Sequence, residues 1–122
     1  MNREIKFRIW DGEKMITSFH FRNTPKGWMA FGNQSHLDSV PVMQFTSIKD
    51  KNGMDIYEGD IVVKTMWYYG TNSKKPKVTT GQVKWHNGNA QFTFYTNCYL
   101  TLIADNIELE VIGNIYANPN LL

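Results

Sequence analysis

The sequence predicts an all-β fold: a small curved barrel entered at a Gly-Asp corner, an N-terminal sheet layer, and little helix. Three observations carry this. Apolar residues fall in short runs, some alternating with period two, as half-buried strands require. Two Asn-Gly dipeptides, Asn52-Gly53 and Asn87-Gly88, sit between such runs. Both residue types tolerate the positive φ of a tight hairpin turn. No segment holds the long 3.6-residue stripe of an amphipathic helix.

The elements follow in order. Residues 4–10 alternate, with Ile5, Phe7 and Ile9 on one side and Lys6, Arg8 and Trp10 on the other, as in a half-exposed strand. Asp11-Gly12-Glu13-Lys14 is a turn, and residues 15–21 return as its partner strand. Asn23-Thr24-Pro25-Lys26-Gly27 reads as a loop, and residues 28–31 as a short apolar piece. Residues 32–39 are polar and irregular, and Ser35-His36-Leu37-Asp38 suits the start of a short helix.

Residues 43–63, MQFTSIKDKNGMDIYEGDIVV, are the most informative stretch. Met43, Phe45, Thr46 and Ile48 read as a strand, Asn52-Gly53 as a reversal, and Ile56 and Tyr57 as the returning strand. Glu58-Gly59-Asp60 then interrupts it. Glycine permits a sharp bend or bulge, while Glu58 and Asp60 face water or cap backbone amides. Ile61, Val62 and Val63 resume the strand, as at the start of small curved barrels. The carboxylates Asp50, Asp55, Glu58 and Asp60 invite a metal or acid–base reading. Each sits beside a glycine or a turn, so turn chemistry is the preferred one.

From Val63 the strand runs on to Tyr69. Residues 70–77 read as a flexible loop. Residues 78–85 are a strand with Gly81 as a bulge position, and His86-Asn87-Gly88-Asn89 is the second hairpin tip. Residues 90–102 are aromatic and β-branched. Residues 106–115 carry Ile107, Leu109, Val111 and Ile112. Asn118-Pro119-Asn120 breaks the pattern before Leu121-Leu122, a tail that either frays or docks in a groove.

With 122 residues the chain suits a single domain, 1–122, and 42% hydrophobic residues exclude a disordered chain. No apolar run approaches the roughly 20 residues that span a bilayer, so no membrane partner is expected. The N-terminal MNREIKFRIW lacks the apolar core of a signal peptide. Cys98 is the single cysteine and reads as a small buried thiol in an aromatic strand, which suits a cytoplasmic protein.

Charge is unevenly placed. Residues 1–60 hold eight Lys/Arg and eight Asp/Glu. Residues 61–104 hold five lysines (Lys64, Lys74, Lys75, Lys77, Lys84) and no acid, whereas residues 105–122 hold Asp105, Glu108 and Glu110 and no base. Such asymmetry speaks to partners. An anionic polymer suits the basic middle. A second copy suits it too, with its acidic C-terminal edge on the basic middle.

Trp67, Tyr68 and Tyr69, with Lys74, Lys75, Lys77 and Lys84, interleave rings and cations as single-strand nucleic-acid binders do. The plainer reading is a strand with alternate rings in the core and a solvated lysine loop. His20, His36 and His86 are widely spaced and show no metal-ligand pairing, so no metal or cofactor is expected. Gly-x-Ser-x-Gly and Gly-x-x-x-x-Gly-Lys motifs are absent. Asp11, Glu58 and Asp60 form a nuclease-like acidic cluster only if the fold gathers them.

Four segments together resemble the YopX-type family of small bacteriophage and prophage proteins. They are REIKFRIWD at 3–11, MQFTSIKDKNG at 43–53, IYEGDIV at 56–62 and EVIGNIYANP at 110–119. They span nearly the whole chain in family order. The resemblance implies an all-β fold with a small barrel, a phage or prophage origin and a cytoplasmic life inside a bacterium. It implies no activity, because the family brings no settled molecular function and no catalytic residues. Residues 65–76 match no family pattern and read as a variable stretch.

The sequence thus points to an accessory protein without catalysis that acts by binding. The first expectation is a protein-interaction or self-assembly module, a homo-oligomer or a partner of a host or phage protein. The alternative is a nucleic-acid-binding module using the acid-free segment 61–104. A metal-dependent nuclease is the remote third.

Overall fold

Strand pairing follows the alternation written in the sequence, and each reversal falls on a polar turn. The computed structural model describes residues 4–18, 20–25, 27–31, 36–37, 41–67, 75–87, 91–95, 99–101 and 107–122. Among them lie twelve strands. The first five are β1 (Phe7–Trp10), β2 (Met15–Ile16), β3 (His20–Thr24), β4 (Gly27–Phe31) and β5 (His36–Leu37). Next come β6 (Val42–Lys49), β7 (Asp55–Tyr57), β8 (Asp60–Met66), β9 (Lys77–His86), β10 (Gln91–Tyr95), β11 (Tyr99–Thr101) and β12 (Ile107–Asn114). A single turn of 3₁₀ helix, η1 (Pro119–Leu121), follows near the C-terminus.

The fold is all-β, as expected. One sheet runs β2-β1-β6-β7, a second β11-β10-β9-β8-β12, and a third, the N-terminal layer, β3-β4-β5. The turn between β6 and β7 reaches β12, where the Lys51 N–H donates to the Leu109 carbonyl at 2.9 Å. The first two sheets therefore meet, and the strands curl as a half-barrel. Ile56, Val62, Val83, Phe94 and Leu109 form its core. Burying each large apolar side chain stabilises the fold by about 1.5–3 kcal/mol.

The Gly-Asp corner opens β8, the strand that joins β9 to β12. Gly59 has φ +88°. Its N–H donates to Val83 O at 2.9 Å, and its carbonyl accepts from Ile115 N–H at 3.0 Å. A side chain there would be strained and would press on the Met43 sulfur, 3.2 Å from the Cβ position.

Several local expectations are corrected. β1 is buried on both faces near its centre: Arg8 is 9% exposed and Ile9 0%, while Ile5 is 64% exposed. The alternation had placed Arg8 in water, but a buried partner holds it inside. The turn at Asn52-Gly53 is not a two-residue reversal. Pairing stops at Lys49↔Asp55, Gly53 alone in the turn has positive φ, and its N–H donates to Asp50 O at 3.0 Å. Gly81 is no bulge, since the β8–β9 register runs unbroken across Val62↔Gly81. The irregularity lies instead in β12, between Val111 and Gly113. His36 and Leu37 pair with β4 as a strand instead of starting a helix. Asn23 and Thr24, placed in a loop, extend β3 to pair with Trp28 and Gly27. The aromatic, β-branched stretch 90–102 holds two strands, β10 and β11, with Tyr95 opposite Tyr99. Of the expected 70–77 loop, Lys77 already belongs to β9, and 70–74 lie outside the described residues, as does Cys98.

The tail docks on its own domain. Asn114 Oδ1 accepts from the N–H groups of Tyr116 and Ala117, and Asn118 N–H donates to Asn114 O at 2.8 Å. Leu121 then lies over Gly113, where a Cβ would meet its Cδ1 at 2.9 Å. Tyr116 stacks on Trp10 with ring centroids 5.9 Å apart. No helix among the described residues is long and apolar enough to cross a membrane.

Candidate binding site on the β12–β8–β9 sheet face

Two sets of residues invited a functional reading, the acids of 50–60 and the rings and lysines downstream. The fold treats them differently.

Asp60 is 2% exposed and pairs with Arg8 across the sheets at 2.6 Å. Its other oxygen accepts the Tyr57 N–H at 2.8 Å, and the Arg8 guanidinium lies over the Tyr57 ring at 4.5 Å. Burial pushes the Asp60 carboxyl above its ordinary range, against the pull of Arg8 and the Tyr57 N–H. Asp50 plays a matching part at the other turn. Its carboxylate accepts from Asn52 and Met54 N–H groups in its own turn, and from Val111 N–H in β12 at 3.0 Å. Burial opposes its charge, but these three donors outweigh it and hold its carboxyl below the ordinary range. Asp55 pairs with Lys6 at 2.5 Å and Lys49 at 3.3 Å. Asp11 caps its own turn, accepting from Glu13 and Lys14 N–H groups. Glu58 accepts from the Gln44 N–H at 3.3 Å.

Asp11, Glu58 and Asp60 are thus each engaged in a different structural contact. Among the described residues no group of three or more His, Cys, Asp or Glu is placed to hold a metal ion.

The downstream residues sit differently. Trp67 follows β8 directly, and Lys77 pairs with Met66, so Trp67, Lys75 and Lys77 share one end of the sheet. Lys84 lies toward the other end of β9, about 23 Å along the strand from Lys77, and seven residues' separation puts it on the opposite face. Tyr68, Tyr69 and Lys74 lie outside the described residues. Lys64, also in the acid-free segment, is buried at 2% exposure with its ammonium 5.6 Å from the Phe94 ring centre. It adds nothing to a basic surface.

Register also brings acids to the acid-free segment. β12 pairs with β8, setting Glu108 opposite Thr65 and Glu110 opposite Val63. On the same face Thr65 lies opposite Val78, and Val63 opposite Thr80. This face runs from a carboxylate margin on β12, across β-branched side chains, to β9. Trp67 is 39% exposed and Val78 60%. Val63, Thr65 and Glu108 are half-buried, and Thr80 is exposed. Glu110 also reaches Lys51 at 3.3 Å. Sequence reasoning missed Thr65, Val78, Thr80 and Glu108. The signal available was the alternation of Val63, Thr65 and Trp67 against that of Val78 and Thr80, but β12's place beside β8 was not legible.

Fold and site together define a small all-β half-barrel with, among the described residues, a partly exposed, mixed-charge face on β12, β8 and β9. The sequence model of the family described as YopX protein matches residues 6–122, and the chain belongs to that family. A comparison with curated proteins returns no match. Among solved structures, the chain is similar to the crystal structure of protein EF1440 from Enterococcus faecalis. The two are 25% identical with a TM-score of 0.57, over 99% of each chain.

Proposed function

We propose that the protein is a phage or prophage accessory factor of the bacterial cytoplasm that works by binding, without catalysis, as a protein-interaction or self-assembly module. The register that lays Glu108 and Glu110 beside β8 carries this reading. A polyanion approaching the face meets carboxylates as well as lysines. A protein surface meets exposed Trp67 and Val78, with charges at the margin, which is the anatomy of a protein contact. The acids that could have served chemistry are engaged in turns and ion pairs. The test is a pull-down from bacterial host cells with nuclease treatment. Protein partners that survive nuclease and are lost with Val78→Lys support the proposal, and partners lost on nuclease treatment count against it.

A second reading is a nucleic-acid-binding module, favoured by the gathering of Trp67, Lys75 and Lys77 at one end of the sheet. Affinity for a single-stranded oligonucleotide would then fall steeply with salt, as released counterions drive binding. Affinity that stays level between low and moderate salt ends this reading.

A further inference from the structure

Asn52 and Gly53 both stand exposed at the tip of the β6–β7 turn. The side of Gly53 where a Cβ would stand opens on empty space, with nothing within 4 Å. Asparagine is a thermolabile residue, and a following glycine has no side chain to hinder attack by its backbone nitrogen. We infer that Asn52 is a self-modification site, where the chain deamidates through a five-membered succinimide and thereby loosens the seam between the first two sheets. The inference is independent of what the protein binds. The Gly53 nitrogen gives up its proton to hydroxide and attacks the Asn52 side-chain carbonyl carbon. A C–N bond forms, the bond from that carbon to the amide nitrogen breaks, and ammonia leaves with a proton from water. Water then adds at either ring carbonyl and opens the ring. One opening gives aspartate. The other gives isoaspartate, with the main chain rerouted through the side-chain carbons and longer by one methylene.

The fold both restrains this step and gives it a consequence. Gly53 N–H donates to Asp50 O at 3.0 Å, so the turn must open before the nitrogen can attack. Exposed turns open locally at far lower cost than global unfolding. Three bonds that close the turn span the Asn52–Gly53 link. They are Gly53 N–H to Asp50 O, Met54 N–H to Asp50 Oδ1 at 2.9 Å, and Asp50 N–H to Met54 O at 2.8 Å. Asp50 in turn holds the Val111 N–H of β12 at 3.0 Å through its second oxygen, and Lys51 N–H donates to Leu109 O at 2.9 Å. A methylene inserted at position 52 therefore shifts the two residues by which the turn grips β12. Both products also set a new carboxylate beside that of Asp50, and like charges repel.

Ageing the full chain at mildly alkaline pH, native and in urea, tests this by peptide mapping with isoaspartate detection. Position 52 gains one mass unit and isoaspartate accumulates there, faster as pH rises. The native chain reacts about two- to tenfold more slowly than the chain in urea, the protection of one hydrogen bond. In the natively aged wild type the urea midpoint falls and exchange of the Val111 N–H quickens. Asn52→Gln, which retains Asn87-Gly88, starts at the midpoint of fresh wild type and keeps it on ageing. The six-membered ring its side chain would form closes far more slowly. A native chain whose Asn52 stays intact while the chain in urea converts overturns the inference. So does conversion at 52 that leaves the urea midpoint and Val111 exchange as in fresh protein, or a fall in midpoint that Asn52→Gln shares in full.

Discussion

The corner at 58–60 and the face at 65–80 adjoin along β8 yet use their polar side chains in opposite ways. At the corner Asp60 is buried against Arg8 and Tyr57, and Gly59 bonds β9 and the C-terminal segment. At the face Trp67, Val78 and Thr80 are exposed. An acid-rich sequence motif proved to be a folding device. A stretch without acids received them from a strand more than forty residues on. Side chains already engaged in holding strands together are poor candidates for contacts with other molecules.

The largest test of this contrast is at the corner. Arg8→Met leaves Asp60 buried without its cation and should cost about 3–5 kcal/mol in urea unfolding. Adding Asp60→Asn removes the stranded charge and keeps an acceptor for the Tyr57 N–H. The double variant should then lose much less than the sum of the single losses. In Arg8→Met the pKa of Asp60, already raised, rises further. The penalty is therefore full above the folded-state pKa and is relieved as pH falls through it. A penalty that does not change with pH would show that Asp60 is not the stranded group.

Asp50→Asn comes next, at about 1–2 kcal/mol at pH 7, because the carboxylate accepts from both its own turn and β12. The folded pKa is lowered. The carboxylate's contribution is therefore present above the unfolded pKa and lost as pH falls through the folded one. The variant should show a shallower acid loss of stability than the wild type by thermal melting.

Gly113→Ala should cost about 1–2 kcal/mol, since its Cβ would fall 2.5 Å from Asn118 Oδ1 and 2.9 Å from Leu121 Cδ1. Hydrogen exchange should quicken in the tail and leave the β8–β9 pairing unchanged. The smallest effect is a gain. Ser47 holds φ +72° in β6, a left-handed conformation that costs an L-residue energy. Ser47→Gly should raise stability by about 0.5–1 kcal/mol, read as a higher urea midpoint.

Much of the fold was legible in the sequence, for local reasons. Alternation and turn chemistry placed β6, β7 and the start of β8, and Gly59 does adopt the positive φ that a sharp corner needs. What was not legible is long-range. Arg8 and Asp60 stand 52 residues apart, and alternation alone put Arg8 in water. The pairing of β12 with β8 set Glu108 and Glu110 beside a segment that looked uniformly basic. The charge asymmetry seen along the chain is therefore partly met inside one sheet. Of the candidate site, Trp67, Lys75 and Lys77 lie at one end of the sheet, but Lys77, opposite Met66, is on the other face from Trp67. Lys84 shares the face of Val78 and Thr80 by strand parity but lies toward the other end of β9.

The most direct test of the central claim, that the open face binds protein and not nucleic acid, is Val78→Lys. Wild type and variant would be compared by sedimentation velocity, alone and with a single-stranded oligonucleotide. A protein-binding face loses its association when a lysine enters its centre, and neither form carries the oligonucleotide. A nucleic-acid-binding face does the reverse: the wild type sediments with the oligonucleotide, the added cation tightens binding, and that outcome would contradict the account.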